Sequence, residues 1–145
     1  MGKGARGYRM DPRRDSEALK ADVSAAFPGL IVQTADPAVA SKESLIEMFA
    51  AQTIRAAQTG ALLARKAELD LLLRAAGTTQ ISEAIQKAGA RPGQQFLLVV
   101  AGEEKDLQAL ESGKFALGAR LPKGELTRDD FVRVEKAALL SAMRA

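Results

Sequence analysis

"ELDLLLRAAGTTQISEAIQKAG", residues 68–89, holds two helical patterns pinned together by Gly77-Thr78-Thr79-Gln80, and its reading decides what kind of domain this is. On a wheel of about 100° per residue, residues 62–76 are apolar round most of the circumference, the pattern of a helix buried at the centre of a domain. Gly77 falls where that helix has to stop, and a left-handed residue just past the last turn is where glycine is favoured. Thr78 or Thr79 then caps a second helix, with Ser82 and Glu83 in its first turn.

Lys66, Asp70 and Arg74, spaced i, i+4 and i+8, make one narrow polar stripe on the first helix. Two readings are open. The stripe is a solvent-facing row of ion pairs worth about 0.2–0.5 kcal/mol each, or Lys66 and Arg74 present donors along a groove while Asp70 holds them. Glu68 falls outside the stripe, among Leu71, Leu72 and Ala75, where an unpaired carboxylate is costly. A structural role follows, with Arg65 or the free N–H groups of the next helix as its partner. Gln80 sits at the open N-terminal end of the second helix, and such ends bind phosphates and carboxylates. With Lys66, Arg74 and Lys87 nearby it forms a candidate anion site.

Outward from this corner, residues 15–27 read as a helix capped by Asp15 or Ser16 and ended by Pro28-Gly29. "LIVQTAD", residues 30–36, is a short strand, and Ser41 is a candidate cap for a long helix to about Gln58. "QQFLLVVAG", residues 94–102, is the clearest strand, with five consecutive apolar residues from Phe96 to Val100. A short helix over 103–110, a strand at 115–121 and a terminal helix over 126–145 capped by Thr127 complete the pattern. Helices and strands do not alternate strictly, so the expectation is an α+β fold: one domain over 15–145 whose helical core packs on a small, mainly antiparallel sheet. Residues 1–14, rich in glycine and arginine, are expected to be a flexible basic segment or an edge strand.

The chain has 145 residues, six of them aromatic, so leucine, alanine, valine and isoleucine must build the core. It contains neither cysteine nor histidine. That excludes disulfides, thiolate metal sites, Ser-His-Asp and Cys-His catalysis and the common zinc hydrolase designs. No apolar run reaches the roughly 18 residues a membrane span requires, and a cytoplasmic protein is expected. The net charge is +3, unevenly spread: residues 55–91 carry six basic and three acidic groups, residues 21–54 one basic and four acidic. Such a footprint is that of a solvated basic face or, though modest beside dedicated nucleic-acid binders, one suited to phosphate contacts. "GKGARG", residues 2–7, fits G-x-G-x-x-G formally but follows no strand, and Gly113-Lys114 lacks the spacing of a phosphate loop. With no nucleophile–base constellation, no catalytic residue, metal or cofactor is expected.

The run Glu68, Leu72, Arg74, Gly77, Gln80-Ile81, Ala84-Ile85, preceded by "ADPAVASKESLIEMFAAQTIRA", resembles the smallest accessory subunit of the KEOPS complex, called the PRPK-binding protein in eukaryotes. The similarity runs from about Leu30 to Val100, with a looser echo at the C-terminus. The resemblance implies a non-catalytic role in threonylcarbamoyl modification of adenosine in tRNA. It implies docking on a small kinase-like ATPase through the C-terminal helix and, in archaeal-type members, recruitment of tRNA by its 3′ single-stranded end. Arg74 and Gln80 match the motif. Lys42, Arg65, Lys66 and Lys87 join them as candidate tRNA contacts by charge and proximity. On the terminal helix, Phe131, Val134, Ala138 and Ala142 form one stripe, and Val132, Leu139 and Met143 another, with Leu140 farther round. That exceeds the roughly 100° stripe a helix needs for packing on its own core: either a small domain wraps this helix more fully or, as the resemblance implies, some of the surface is left for a partner. Val132, Leu139, Leu140 and Met143 are therefore the candidate partner contacts, in a helix-in-groove mode. The alternative is a protein-only regulator of the ATPase without tRNA contact.

Overall fold

The apolar run beginning at Phe96 lies in an eight-residue strand whose first seven residues are buried. Continuous hydrophobicity of this kind requires cover on both faces of a sheet. The computed structural model describes residues 2–144, with side chains through residue 142. In chain order the elements are β1 (Lys3–Met10), α1 (Ser16–Ala26), β2 (Ile31–Ala35), a 3-10 turn (Pro37–Val39), α2 (Glu43–Thr59), α3 (Ala67–Ala76) and α4 (Ile81–Ala88). β3 (Phe96–Glu103), α5 (Glu104–Glu111), β4 (Ala119–Arg120) and α6 (Arg128–Arg144) follow. The strands form one antiparallel sheet in the order β2-β3-β1-β4, so the α+β expectation holds.

Each face of the sheet has its own core. Ala5, Leu97, Val99 and Ala101 pack with Phe49, Leu71, Leu72, Leu73, Ala137 and Leu140 of α2, α3 and α6. Tyr8, Met10, Val32, Leu98 and Val100 pack with Leu19, Val23, Leu107 and Leu110 of α1 and α5. β3 thus lies between two helical layers.

The N-terminal segment corrects the expectation of a flexible tail or an edge strand. β1 is an interior strand, paired with β3 from Lys3 opposite Glu103 to Met10 opposite Phe96, and with β4 on its other side. Its composition hides this, because glycine and arginine read as solvent-facing. Yet a Cβ at Gly7 would lie 2.5 Å from the Ile46 Cδ1 and 2.9 Å from the Leu121 Cδ1, so the missing side chain is what lets α2 and Leu121 approach the strand.

Local signals fare unevenly. The Asp15 carboxylate caps α1 through Ala18 N–H, and Thr127 and Asp130 exchange backbone-to-side-chain bonds at the start of α6. Ser41 is not the cap of α2, whose cap residue is Lys42 with no side-chain bond. α3 begins at Ala67, not 62, so Lys66 caps that helix instead of lying on its face. The strand expected at 115–121 shrinks to two residues, held by Arg120, which donates to both Glu43 oxygens at 2.8 and 2.7 Å.

A Cβ at Gly118 would fall 1.7 Å from the Arg9 carbonyl oxygen, and backbone cannot yield as a flexible side chain does. Gly118→Ala is expected to peel β4 from β1 and lower stability by about 1–3 kcal/mol. The readout is a lower melting temperature together with faster exchange of the Leu121 amide, which donates to Gly7 O at 2.8 Å.

Candidate nucleic-acid interface

The corner is organised by one carboxylate. Asp70 is fully buried in α3 and accepts four hydrogen bonds. At Oδ1 it takes the Thr53 hydroxyl at 2.5 Å and Arg74 Nε at 2.6 Å. At Oδ2 it takes the Leu63 backbone N–H at 2.9 Å and Arg74 Nη2 at 3.1 Å. The third guanidinium nitrogen, Nη1, donates to Ala137 O of α6 at 3.1 Å. Arg74 is only 4% exposed, so it is not the solvent-facing phosphate ligand expected. The reason is local: a carboxylate with no exposure needs a counter-charge at i+4, and the arginine fork satisfies both of its oxygens.

Lys42 is likewise consumed internally. Its ammonium donates to Asp130 at 2.6 Å and to Glu125 O at 2.9 Å, tying the start of α2 to the start of α6. The Asp130 carboxyl is held below the ordinary aspartate range, first by the Lys42 hydrogen bond and then by the Thr127 N–H.

Glu68 is half-buried in the first turn of α3, where the helix dipole favours it. Its carboxylate braces nothing among the described residues; its backbone oxygen takes Gln33 Nε2 at 2.8 Å. The bracing acid is Asp70. Gly77 does what its position predicts, with φ of 73° and its N–H on Arg74 O and Leu73 O, while Thr78 N–H closes the cap on Leu73 O. Thr78 also accepts the Gln80 N–H at 3.1 Å, which leaves Gln80 as the cap residue of α4 with no bond from its own side chain.

Arg65, Lys66, Gln80 and Lys87 remain exposed. Lys87 pairs loosely with Glu83 at 2.8 Å, whereas Arg65 and Lys66 have no carboxylate partner among the described residues. These residues are strung along the α3–α4 hairpin rather than gathered at a point. Ten helical residues at about 1.5 Å each put roughly 15 Å between the two ends of α3. α4 then turns back: Ala88 O takes Asp36 N–H at 2.8 Å, and Gln33, close by in β2, holds Glu68. Lys87 thereby returns toward the Arg65–Lys66 end. Two residues that the sequence singles out only as members of a run, not as surface contacts, complete this surface. Ile81 and Ile85, one turn apart on α4, are 46% and 54% exposed. Their presence in the run 68–89 is plain, but a four-residue apolar spacing points to core unless the helix phase is known.

On α6 the helical phase differs from the expectation. Val134, Ala137 and Leu140 face the core, with Leu140 fully buried, so Leu140 is not a partner contact. Val132 and Leu139 are exposed as expected, and Phe131 joins them at 56%. Met143 lies in α6, but its side chain falls outside the described residues. Arg133, over the Phe49 ring at 5.4 Å, donates to Ala75 O and closes the contact between α6 and α3; burial lowers its pKa.

No protein-family model matches the chain, and no curated protein is similar to it by sequence. Among the described residues no helix is long and apolar enough to cross a membrane.

Arg74→Met strands Asp70 in the core and is expected to cost about 3–5 kcal/mol in chemical denaturation, against about zero to one for Arg65→Met on the surface. The lowered carboxyl of Asp130 contributes stability that is complete above the ordinary aspartate range and is lost as the pH falls through its depressed value. Lys42→Met should therefore flatten the acid limb of a stability–pH curve while leaving the slope near neutrality unchanged.

Proposed function

We propose that this chain is a non-catalytic accessory subunit of the KEOPS type, one that docks on a kinase-like ATPase and helps bring the 3′ single-stranded end of tRNA to a threonylcarbamoyl-transferring assembly. The observation that carries this reading is the α3–α4 hairpin. The motif that resembles the family builds it, and the members of that run not needed for packing, Gln80, Ile81 and Ile85, stay exposed along the same hairpin as Arg65, Lys66 and Lys87. Cations at one end suit the phosphates of a strand, and exposed apolar and amide side chains suit its unstacked bases. Docking on the ATPase falls to the outer side of α6, where Phe131, Val132 and Leu139 have no cover.

A second reading, a protein-only regulator of the ATPase, is favoured by the internal use of Arg74 and Lys42, which leaves the basic surface smaller than the sequence suggests. The two part on one measurement. The isolated chain is titrated with intact tRNA and with tRNA lacking its terminal nucleotides, at several salt concentrations. Salt-sensitive binding that weakens on truncation, and that Ile81→Glu and Lys66→Ala reduce by about tenfold or more, supports recruitment. Negligible binding to both RNAs leaves the regulator. In either case Leu139→Asp is expected to abolish capture of the ATPase without changing the tRNA titration.

A further inference from the structure

We propose that Thr53, Asp70 and Arg74 are positioning residues that hold the α2–α3 loop, and with it Arg65 and Lys66, in an RNA-ready conformation without touching RNA themselves; this rests on the tRNA reading above. The connection from Gly60 to Lys66 joins two helices and carries Arg65 and Lys66, two cations with no carboxylate partner among the described residues. Gly60 starts it in the left-handed region at φ of 72°, with Ala61 N–H on Ala56 O at 2.8 Å. Asp70 fastens it twice more. Its carboxylate takes the Leu63 N–H, two residues before Arg65, and its backbone N–H donates to Lys66 O at 3.1 Å.

The carboxylate is in turn fixed from two neighbouring helices, by Thr53 of α2 and by Arg74, which reaches Ala137 of α6. Leu63 itself is buried, so the loop is gripped on one side by its side chain and amide while the next two cations project outward. A loop ordered before binding loses less freedom when it binds. Packing of the helices alone would not require the Leu63 amide to end on a carboxylate. That bond fixes backbone between the helices.

The test separates positioning from direct RNA binding and from mere destabilisation. Thr53→Val removes one of the four bonds to Asp70 and keeps the ion pair, so the chain stays folded. Arg74→Lys keeps the charge and removes the fork. Amide exchange at Leu63 is expected to rise at least about tenfold in Thr53→Val while the β3 amides keep their protection. Affinity for total tRNA should fall roughly five- to twentyfold with an unchanged slope against log salt. In Arg65→Ala or Lys66→Ala the slope itself should drop by roughly 0.7–0.9 for each phosphate that is no longer neutralised. Val23→Ala, which opens a cavity in the opposite core, should lower the melting temperature and leave tRNA affinity unchanged. Arg74→Lys is expected to behave like Thr53→Val. Weakened tRNA binding in Arg74→Lys with Leu63 exchange unaltered would make Arg74 a direct RNA ligand and overturn the proposal, as would unaltered Leu63 exchange in Thr53→Val. If the wild-type chain ignores tRNA, the recruitment reading and the RNA purpose of the loop fail together, and Leu63 exchange still decides whether Asp70 is its tether.

Discussion

The Asp70 carboxylate is the constraint on which the helical side of this domain depends. A charge with no solvent exposure is tolerable only when every lone pair finds a donor, and here the donors come from α2, the α2–α3 loop and α3, with Arg74 carrying the link on to α6. The surrounding leucines and alanines supply most of the burial, but interchangeable aliphatic side chains tolerate rotation and sliding of one helix over another. A buried ion pair adds little net stability over a well-packed apolar substitute. What it contributes is registry: Thr53, Leu63 and Ala137 must each lie within hydrogen-bond reach, so the positions of three segments are tied to one group.

The same network redistributes the basic excess of residues 55–91. Of six cations there, Arg74 is used by Asp70, Lys87 by Glu83 and Arg91 by Asp36, leaving Arg55, Arg65 and Lys66 unpaired among the described residues. Three free charges, two at the start of the α3–α4 hairpin and one on α2, are few for a nucleic-acid surface held by phosphate contacts alone. Recognition on the proposed reading therefore leans on Gln80, Ile81 and Ile85, and on unstacked bases, which a single-stranded end offers and a duplex does not. On that reading charge would orient the strand and the α4 surface would discriminate it.

What was legible in the sequence follows the range of the interactions involved. The central strand announced itself through the unbroken run Phe96 to Val100, and Gly77 through its place after a buried helix, because both signals are local. Interior placement of β1 was not legible: it depends on Gly7 admitting Ile46 from a helix some forty residues on. Lys66, Asp70 and Arg74 resemble one stripe because a wheel assumes a helix throughout; once α3 starts at Ala67, Lys66 leaves the helix face and the other two turn inward. For α6 the apolar pattern spans more than half the circumference, so several phases bury it equally well. Arg74, Gln52 and Arg133 choose among them by reaching Ala137 O, Val134 O and, from α6 itself, Ala75 O.

That choice also bears on how the outer face of α6 can be used. The inner side of the helix is held at its first turn by Lys42 on Asp130, one turn later by Gln52 on Val134 O, and then by Arg74 on Ala137 O. Lifting α6 by one bond length would unpair a buried guanidinium donor, and each such loss costs about 1–3 kcal/mol. A helix fastened at three successive levels cannot reorient to suit a groove at modest cost. A partner that docks on Phe131, Val132 and Leu139 must therefore accept the helix where it lies. Because Arg74 joins that helix to the carboxylate holding the α2–α3 loop, the apolar face and the cation-bearing loop are presented in one fixed relation to each other.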